Sequence, residues 1–325
     1  MTACGIEYLE FFTRDLEVTV GFLTQSFGLT AVESLATTDR QSTLLRQAEM
    51  RLLVTAGPAT QQYLEAHGDG IAVIAISCDD VAATRAAAAA ACAQLRGDVV
   101  VPPGHGDMGY RLLPQAPAAD MPSEDAQARI RCVDHLAVCV EAASMGSAER
   151  FYADAFGLQR YSGEYVAIGE QAMDSVVVRS PSGGLTLTLL EPDPSRKPGQ
   201  IDAFLERNGG PGIQHVAFLI DDIVGAVRAY RETGVEFLPT PSSYYDVLVS
   251  RVGQMAETVA DLRDTNVLAD RDEWGYLLQI FTRSPCPRDT LFFELIQRHG
   301  ARGFGSANIR ALYEAVEREA RREAK

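Results

Sequence analysis

The chain follows a repeated plan, and an internal repeat limits the possible architectures more than any other feature of a sequence. The strand Ile6-Glu7-Tyr8-Leu9-Glu10-Phe11-Phe12 leads through Asp15, a good N-cap residue, into an amphipathic helix that closes at Phe27-Gly28-Leu29. The same order returns after Val133-Asp134-His135-Leu136, where an Ala/Ser-rich helix start runs on to Phe156-Gly157-Leu158. A second kind of unit also occurs twice. Asp69-Gly70-Ile71 through Asp79-Asp80-Val81 lines up with Pro211-Gly212-Ile213 through Asp221-Asp222-Ile223. Each copy predicts a strand followed by an Ala-containing helix, over 81–96 and 223–233. Four units in the order A-B-A-B therefore make up the chain.

The repeat gives the histidines their meaning. The stretch Gly212-Ile213-Gln214-His215-Val216-Ala217-Phe218-Leu219-Ile220 reads as a strand apolar on both faces, and a histidine inside such a strand is unusual. Arg131-Cys132-Val133-Asp134-His135-Leu136-Ala137-Val138 is its counterpart in the preceding unit. Of the five histidines in the chain, two occupy these matched positions, and the first half has Tyr8 and Val73 there instead. Core histidines satisfied by hydrogen bonds would have no reason to choose those two sites. A further strand, Leu291-Phe292-Phe293-Glu294-Leu295-Ile296, adds a carboxylate. Two imidazoles and one carboxylate form the set that holds non-haem Fe(II) on one face and leaves the other open. His67 and His105 in Gly-rich loops, and His299 in a charged turn, are expected at the solvated surface.

Composition narrows the class of partner. A net charge of −15, from 44 acidic against 29 basic side chains, disfavours nucleic acid and anionic membranes, which both need basic patches. No apolar run reaches membrane-spanning length, and the N-terminus lacks the pattern of a secretory signal. The six cysteines form no CxxC pair, so free thiols in a reducing cytoplasm are expected. A Pro/Ala/acidic stretch at 117–131 reads as a linker between a first half, 1–116, without metal ligands and a second half, 132–325, that carries them. Strands are predicted at 175–178 and 185–190, turned by Pro181-Ser182-Gly183-Gly184, and at 277–282. A short helix is predicted at 199–208. A terminal helix from about Ala307 follows a loop, Gly300–Gly305, expected to be mobile and able to act as a lid. The second unit looks shortened after residue 97.

The four units, with His135, His215 and Glu294 in the second half, resemble the vicinal oxygen chelate superfamily. Within it, Leu190-Glu191-Pro192, Gly199-Gln200-Ile201, Gly212-Ile213-Gln214-His215-Val216-Ala217, Leu278-Gln279-Ile280-Phe281-Thr282 and Gly303-Phe304-Gly305-Ser306-Ala307-Asn308 are similar to the 4-hydroxyphenylpyruvate dioxygenase and 4-hydroxymandelate synthase group. The resemblance covers nearly the whole chain and is most specific in the second half. It implies an α+β fold of two tandem open β-barrel halves built from βαβββ-type units, with a C-terminal lid helix. It also implies Fe(II), an α-keto acid substrate and O2. By resemblance, Ser175, Thr188, Gln200 and Gln279 line the polar part of a substrate pocket, and Leu190, Phe281, Phe292, Phe304, Ile309 and Tyr313 its apolar and aromatic part. At Thr188, Leu190, Ile309 and Tyr313 the chain is similar to the mandelate synthases. The expected reaction is thus oxidative decarboxylation and benzylic hydroxylation of 4-hydroxyphenylpyruvate to 4-hydroxymandelate, in secondary metabolism. The dioxygenase outcome, homogentisate, is the alternative. An extradiol ring-cleaving dioxygenase or a non-catalytic binding protein of the superfamily also stays open, as does a homo-oligomer. Glu191 is a weak rival ligand, since strand parity points it away from Leu190.

Overall fold

The computed structural model describes residues 2–308 except 116–127, together with Arg310 and Ala311. Most of the expected linker, as well as Ile309 and Tyr313 of the expected terminal helix, lies outside the described residues. The first half contributes strands β1 (Ala3–Phe12), β2 (Thr30–Ala36), β3 (Gln41–Gln47), β4 (Met50–Ala56), β5 (Gly70–Cys78), β6 (Gln94–Arg96), β7 (Val99–Val101) and β8 (Gly109–Pro114). The second contributes β9 (Ile130–Cys139), β10 (Gln159–Ile168), β11 (Gln171–Arg179), β12 (Thr186–Pro192), β13 (Gly212–Ile220), β14 (Leu268–Arg271), β15 (Tyr276–Phe281) and β16 (Phe292–His299). Each set forms one mixed eight-stranded sheet. The orders, β2-β3-β4-β1-β5-β8-β7-β6 and β10-β11-β12-β9-β13-β16-β15-β14, have the same topology.

The helices explain the repeated sequence signals. Helix α1 (Leu16–Phe27) is capped by the Asp15 carboxylate, which accepts from the Val18 amide at 3.1 Å. At its other end Gly28 adopts φ 70°, and the Leu29 amide reaches back to the Leu23 carbonyl. Helix α2 (Gln61–His67) precedes β5, and α3 (Val81–Ala90) follows it. In the second half α4 (Met145–Phe156) ends the way α1 does, with Gly157 at φ 69° and the Leu158 amide on the Tyr152 carbonyl. The Phe-Gly-Leu signature is therefore a Schellman stop: the left-handed residue costs glycine nothing, and the next leucine is buried. Helices α5 (Gln200–Asn208) and α6 (Ile223–Glu232) complete the elements used below.

Two sequence expectations need correction. The helix predicted over 81–96 stops at Ala90, because Cys92 takes a left-handed φ of 66° and the chain turns into β6. The supposedly shortened second unit keeps all of its strands; β6 and β7 are simply three residues each.

Register shows how deep the repeat goes. In β1 against β5, residue pairing slips between Ala3 and Gly5, between Ile6 and Tyr8, and between Glu10 and Phe11. In β9 against β13 it slips at the equivalent places, so that Asp134 and Gln214 are each the extra residue of a bulge. Bulges re-aim side chains. A single core unites the halves: Phe27 of α1 packs on Phe293 of β16 at 5.3 Å and on Tyr230 of α6 at 5.2 Å. Across the seam the Tyr110 and Tyr152 hydroxyls meet at 2.9 Å. The Ile6 amide also bonds the Gly184 carbonyl, where a Cβ on Gly184 would lie 2.5 Å from the Cys4 carbonyl oxygen. Only glycine fits that approach.

Candidate metal centre

His135 on β9, His215 on β13 and Glu294 on β16 come together because these are the three central, directly paired strands of the second sheet. Ala217 pairs with His135 on one side and with Glu294 on the other, which puts imidazole and carboxylate at the same level on the two strands that flank β13. Both Nε2 atoms lie 3.4 Å from Glu294 Oε2, and the three ligand atoms sit within 4.8 Å of one another. His135 and Glu294 are each 2% exposed, while His215 is partly buried. His215 stacks on Phe292 at 5.0 Å, which holds its ring in place.

Electrostatics within the triad are those of a cation site. Burial opposes ionisation of Glu294, but the two imidazoles outweigh it and bring its pKa down to about 2. Burial also disfavours a charged His135, yet Glu294 and Asp134 raise its pKa to about 9. His215 is pushed the other way, downwards, chiefly by burial. The pocket thus holds a buried carboxylate beside two imidazoles, one of them favoured in its charged form. A divalent ion would replace that proton and bind all three groups.

The triad lines a cavity of about 440 Å³. Every sequence-predicted site residue within the described part lines it: Ser175, Thr188, Leu190, Gln200, Gln279, Phe281, Phe292 and Phe304, with the triad itself. Its wall is mostly apolar, and four buried polar atoms at it have no partner: Thr188 Oγ1, Gln279 Oε1, Glu294 Oε1 and His215 Nδ1. Each would cost about 1–3 kcal/mol if left unsatisfied, so their convergence marks a site shaped for a ligand with polar groups. The residues fit a divalent metal and a small chelating acid.

Several lining residues escaped the sequence reading, among them Gln171, Met173, Gln214 and Leu238. Gln214 shows why: simple alternation would face it away from His215, and only the bulge brings both into the cavity. The other histidines also need correction. His67 and His105 are buried, at 4% and 1% exposure, not solvated. His67 donates from Nδ1 to the Asn208 carbonyl at 2.7 Å, and His105 sits edge-on to Tyr152 between the halves. His299, partly buried, pairs with Glu257 at 3.0 Å. Glu191 accepts from the Ser144 and Met145 amides at the start of α4, which gives that carboxylate a helix-capping duty. The Gly300–Gly305 loop is tethered: Asp272 accepts from the Arg302 and Gly303 amides, and Phe304 lies edge-on to His135 at 5.1 Å.

Fold and site together define a class. The family description "Glyoxalase/Bleomycin resistance protein/Dioxygenase superfamily" matches twice, at residues 5–113 and 134–247, one match per sheet. A 4-hydroxyphenylpyruvate dioxygenase from Neurospora crassa is 31% identical over 297 residues, 79% of this chain and 71% of that protein. A probable 4-hydroxyphenylpyruvate dioxygenase 2 from Aspergillus fumigatus is 41% identical over 182 residues; the match takes in 52% of this chain and 44% of that one. Among solved structures, a mutant of 4-hydroxymandelate synthase from Streptomyces coelicolor superposes with a TM-score of 0.85 at 47% identity, covering 98% of this chain and 99% of the other. The chain belongs to the glyoxalase/dioxygenase superfamily and, within it, to the group that contains 4-hydroxyphenylpyruvate dioxygenase and 4-hydroxymandelate synthase.

Proposed function

We propose that the chain is an Fe(II)-dependent oxygenase that converts 4-hydroxyphenylpyruvate and O2 to 4-hydroxymandelate and CO2. The observation that carries the reading is the His135, His215 and Glu294 triad lining an apolar cavity, in a chain 47% identical throughout to a 4-hydroxymandelate synthase. His135, His215 and Glu294 would hold the iron, whose role is to activate O2 and accept the keto acid as a chelate. Two neutral imidazoles and one carboxylate leave a net positive centre suited to an anionic substrate.

The remaining work belongs to the chain. The α-keto acid would bring its carboxylate and keto oxygen to the triad, and its ring would lie against the wall that Phe281 and Phe292 form together, the two meeting edge-on at 5.9 Å. Thr188, Gln200, Gln279 and Ser175 supply hydrogen bonds along the polar side. Phe304 closes the cavity over His135 and excludes water. Because the substrate carries its own keto acid, the reaction balances without a second one. One oxygen atom enters the carboxylate left after CO2 departs, and the other enters the benzylic C–H. Thr188 and Leu190, neighbours on β12, face the ring and bias which carbon is oxidised. We also assign the halves as 1–116 and 132–325, with a cytoplasmic location suited to six unpaired cysteines.

One observation favours a second outcome: the Neurospora and Aspergillus relatives are named as 4-hydroxyphenylpyruvate dioxygenases. Incubating the Fe(II)-loaded protein with 4-hydroxyphenylpyruvate and O2, with products separated by chromatography, distinguishes the two. 4-Hydroxymandelate with one equivalent of CO2 supports the proposal; homogentisate as the main product defeats it.

A further inference from the structure

Arg298 lies on β16, four residues beyond Glu294, and uses its whole guanidinium. Nη2 and Nε grip the two carboxylate oxygens of Asp134, each at 2.7 Å. Nη1 donates to the Gly303 carbonyl at 2.7 Å and to the Ala301 carbonyl at 3.3 Å. The same group lies 5.2 Å over the Phe304 ring. Asp134 in turn accepts from His135 Nδ1 at 2.8 Å. Adjacent residues of a regular strand point to opposite faces, so this contact exists only because Asp134 is the extra residue of a bulge. Phe304 closes the circuit by meeting the His135 ring edge-on. His135, Asp134, Arg298, the 301–303 backbone and Phe304 therefore form one ring of contacts.

The first half supplies a control. Glu7 occupies the bulge equivalent to Asp134, but its partner is Arg51, on another strand and at 3.6 Å. Counted from Arg111, the first-half equivalent of Glu294, the position of Arg298 holds Gln115, which contacts Cys4. Among the described residues, the relay occurs only in the half that has the two matched histidines. A buried ion pair adds little net stability over well-packed apolar residues, so stability alone does not account for it.

We infer that Arg298 is a positioning residue that fixes the His135 imidazole through Asp134 and, with the same guanidinium, holds the 301–304 segment over the cavity. The inference rests on the reading of His135 as a metal ligand. Metal capture and closure of the cavity are then one coupled event: an ion that straightens His135 also firms the cover. A lysine, a point charge without the planar fork, cannot serve both arms.

The test compares wild type with Arg298→Lys, Asp134→Asn and the double variant. Fe(II) affinity is measured anaerobically by chelator competition, and amide hydrogen exchange is followed over 301–305. Outer partners of a metal-bound histidine typically matter by about 10–100-fold in affinity, and losses of that size are expected for both single variants. Metal should slow exchange over 301–305 in wild type and lose that effect in Arg298→Lys. The double variant should be no worse than Arg298→Lys alone. Affinity within about twofold of wild type in Arg298→Lys, or metal-independent exchange in wild type, overturns the inference. If Arg298→Lys does not fold by circular dichroism, Asp134→Asn decides, with unchanged affinity counting against. If wild type itself takes up no metal, the metal reading fails first and takes this inference with it.

Discussion

The two sheets share order, pairing and even bulges, yet their centres hold opposite chemistry. Where the second sheet brings together His135, His215 and Glu294, the first has Tyr8, Val73 and Arg111, at matching positions of the ladder. Arg111 Nη1 donates to the Tyr8 hydroxyl at 2.7 Å and to Glu10 at 2.8 Å, and its Nε reaches Asp98 at 2.6 Å. Glu10, 1% exposed, also accepts from the Thr55 hydroxyl. A guanidinium thus stands where the other sheet groups three side chains that could hold a cation. Each sheet places charged side chains between its middle strands, and the two clusters differ at the three matched positions.

Breaking the reactive centre should have the largest effect. His215→Ala removes one ligand and is expected to lower turnover by on the order of 10³-fold or more, with metal content falling in parallel and the thermal melt nearly unchanged. The inert centre should answer the other way round. Arg111→Met strands the Glu10 carboxylate in the first sheet and should cost about 3–5 kcal/mol in urea unfolding, while Fe(II) affinity stays at the wild-type value. Adding Glu10→Gln removes the orphaned charge, so the double variant should recover most of that loss. If it remains as unstable as Arg111→Met, the first centre is not the self-contained ion-pair network described. The smallest effect concerns the seam. Burial lowers the His105 pKa, so the folded protein resists protonating it. The unfolded chain takes up that proton below about pH 6.5, so the contribution of His105 to stability should decline as pH falls from 7.5 to 5.5, read as the difference between wild type and a His105 variant. His105→Gln should remove that component, so the melting-temperature gap between wild type and variant should shift against wild type as pH falls.

Much of this organisation was legible in the sequence because the repeat is visible in it. Aligned units gave the strand pairs, the Phe-Gly-Leu helix stops and the two histidines that have no counterpart in the other half. Their matched positions in the repeat, with Glu294 on a further strand, pointed to the triad. What stayed hidden depended on register and on contacts distant in sequence. The bulges at Asp134 and Gln214 break the two-residue period from which facing is inferred, so neither residue could be assigned to the site. His67 and His105 looked like loop residues because their burial comes from the opposite half, through Asn208 and Tyr152. The Gly300–Gly305 loop looked mobile because its anchors, Asp272 and Arg298, hold it by backbone hydrogen bonds that glycine content does not reveal.

Anomalous scattering at the iron edge, from crystals grown with Fe(II) in the absence of oxygen, tests the difference between the two centres directly. One peak per chain is expected, bound by His135, His215 and Glu294, with none near Tyr8, Val73 and Arg111. A peak in the first sheet, or an iron held by other residues, would contradict it.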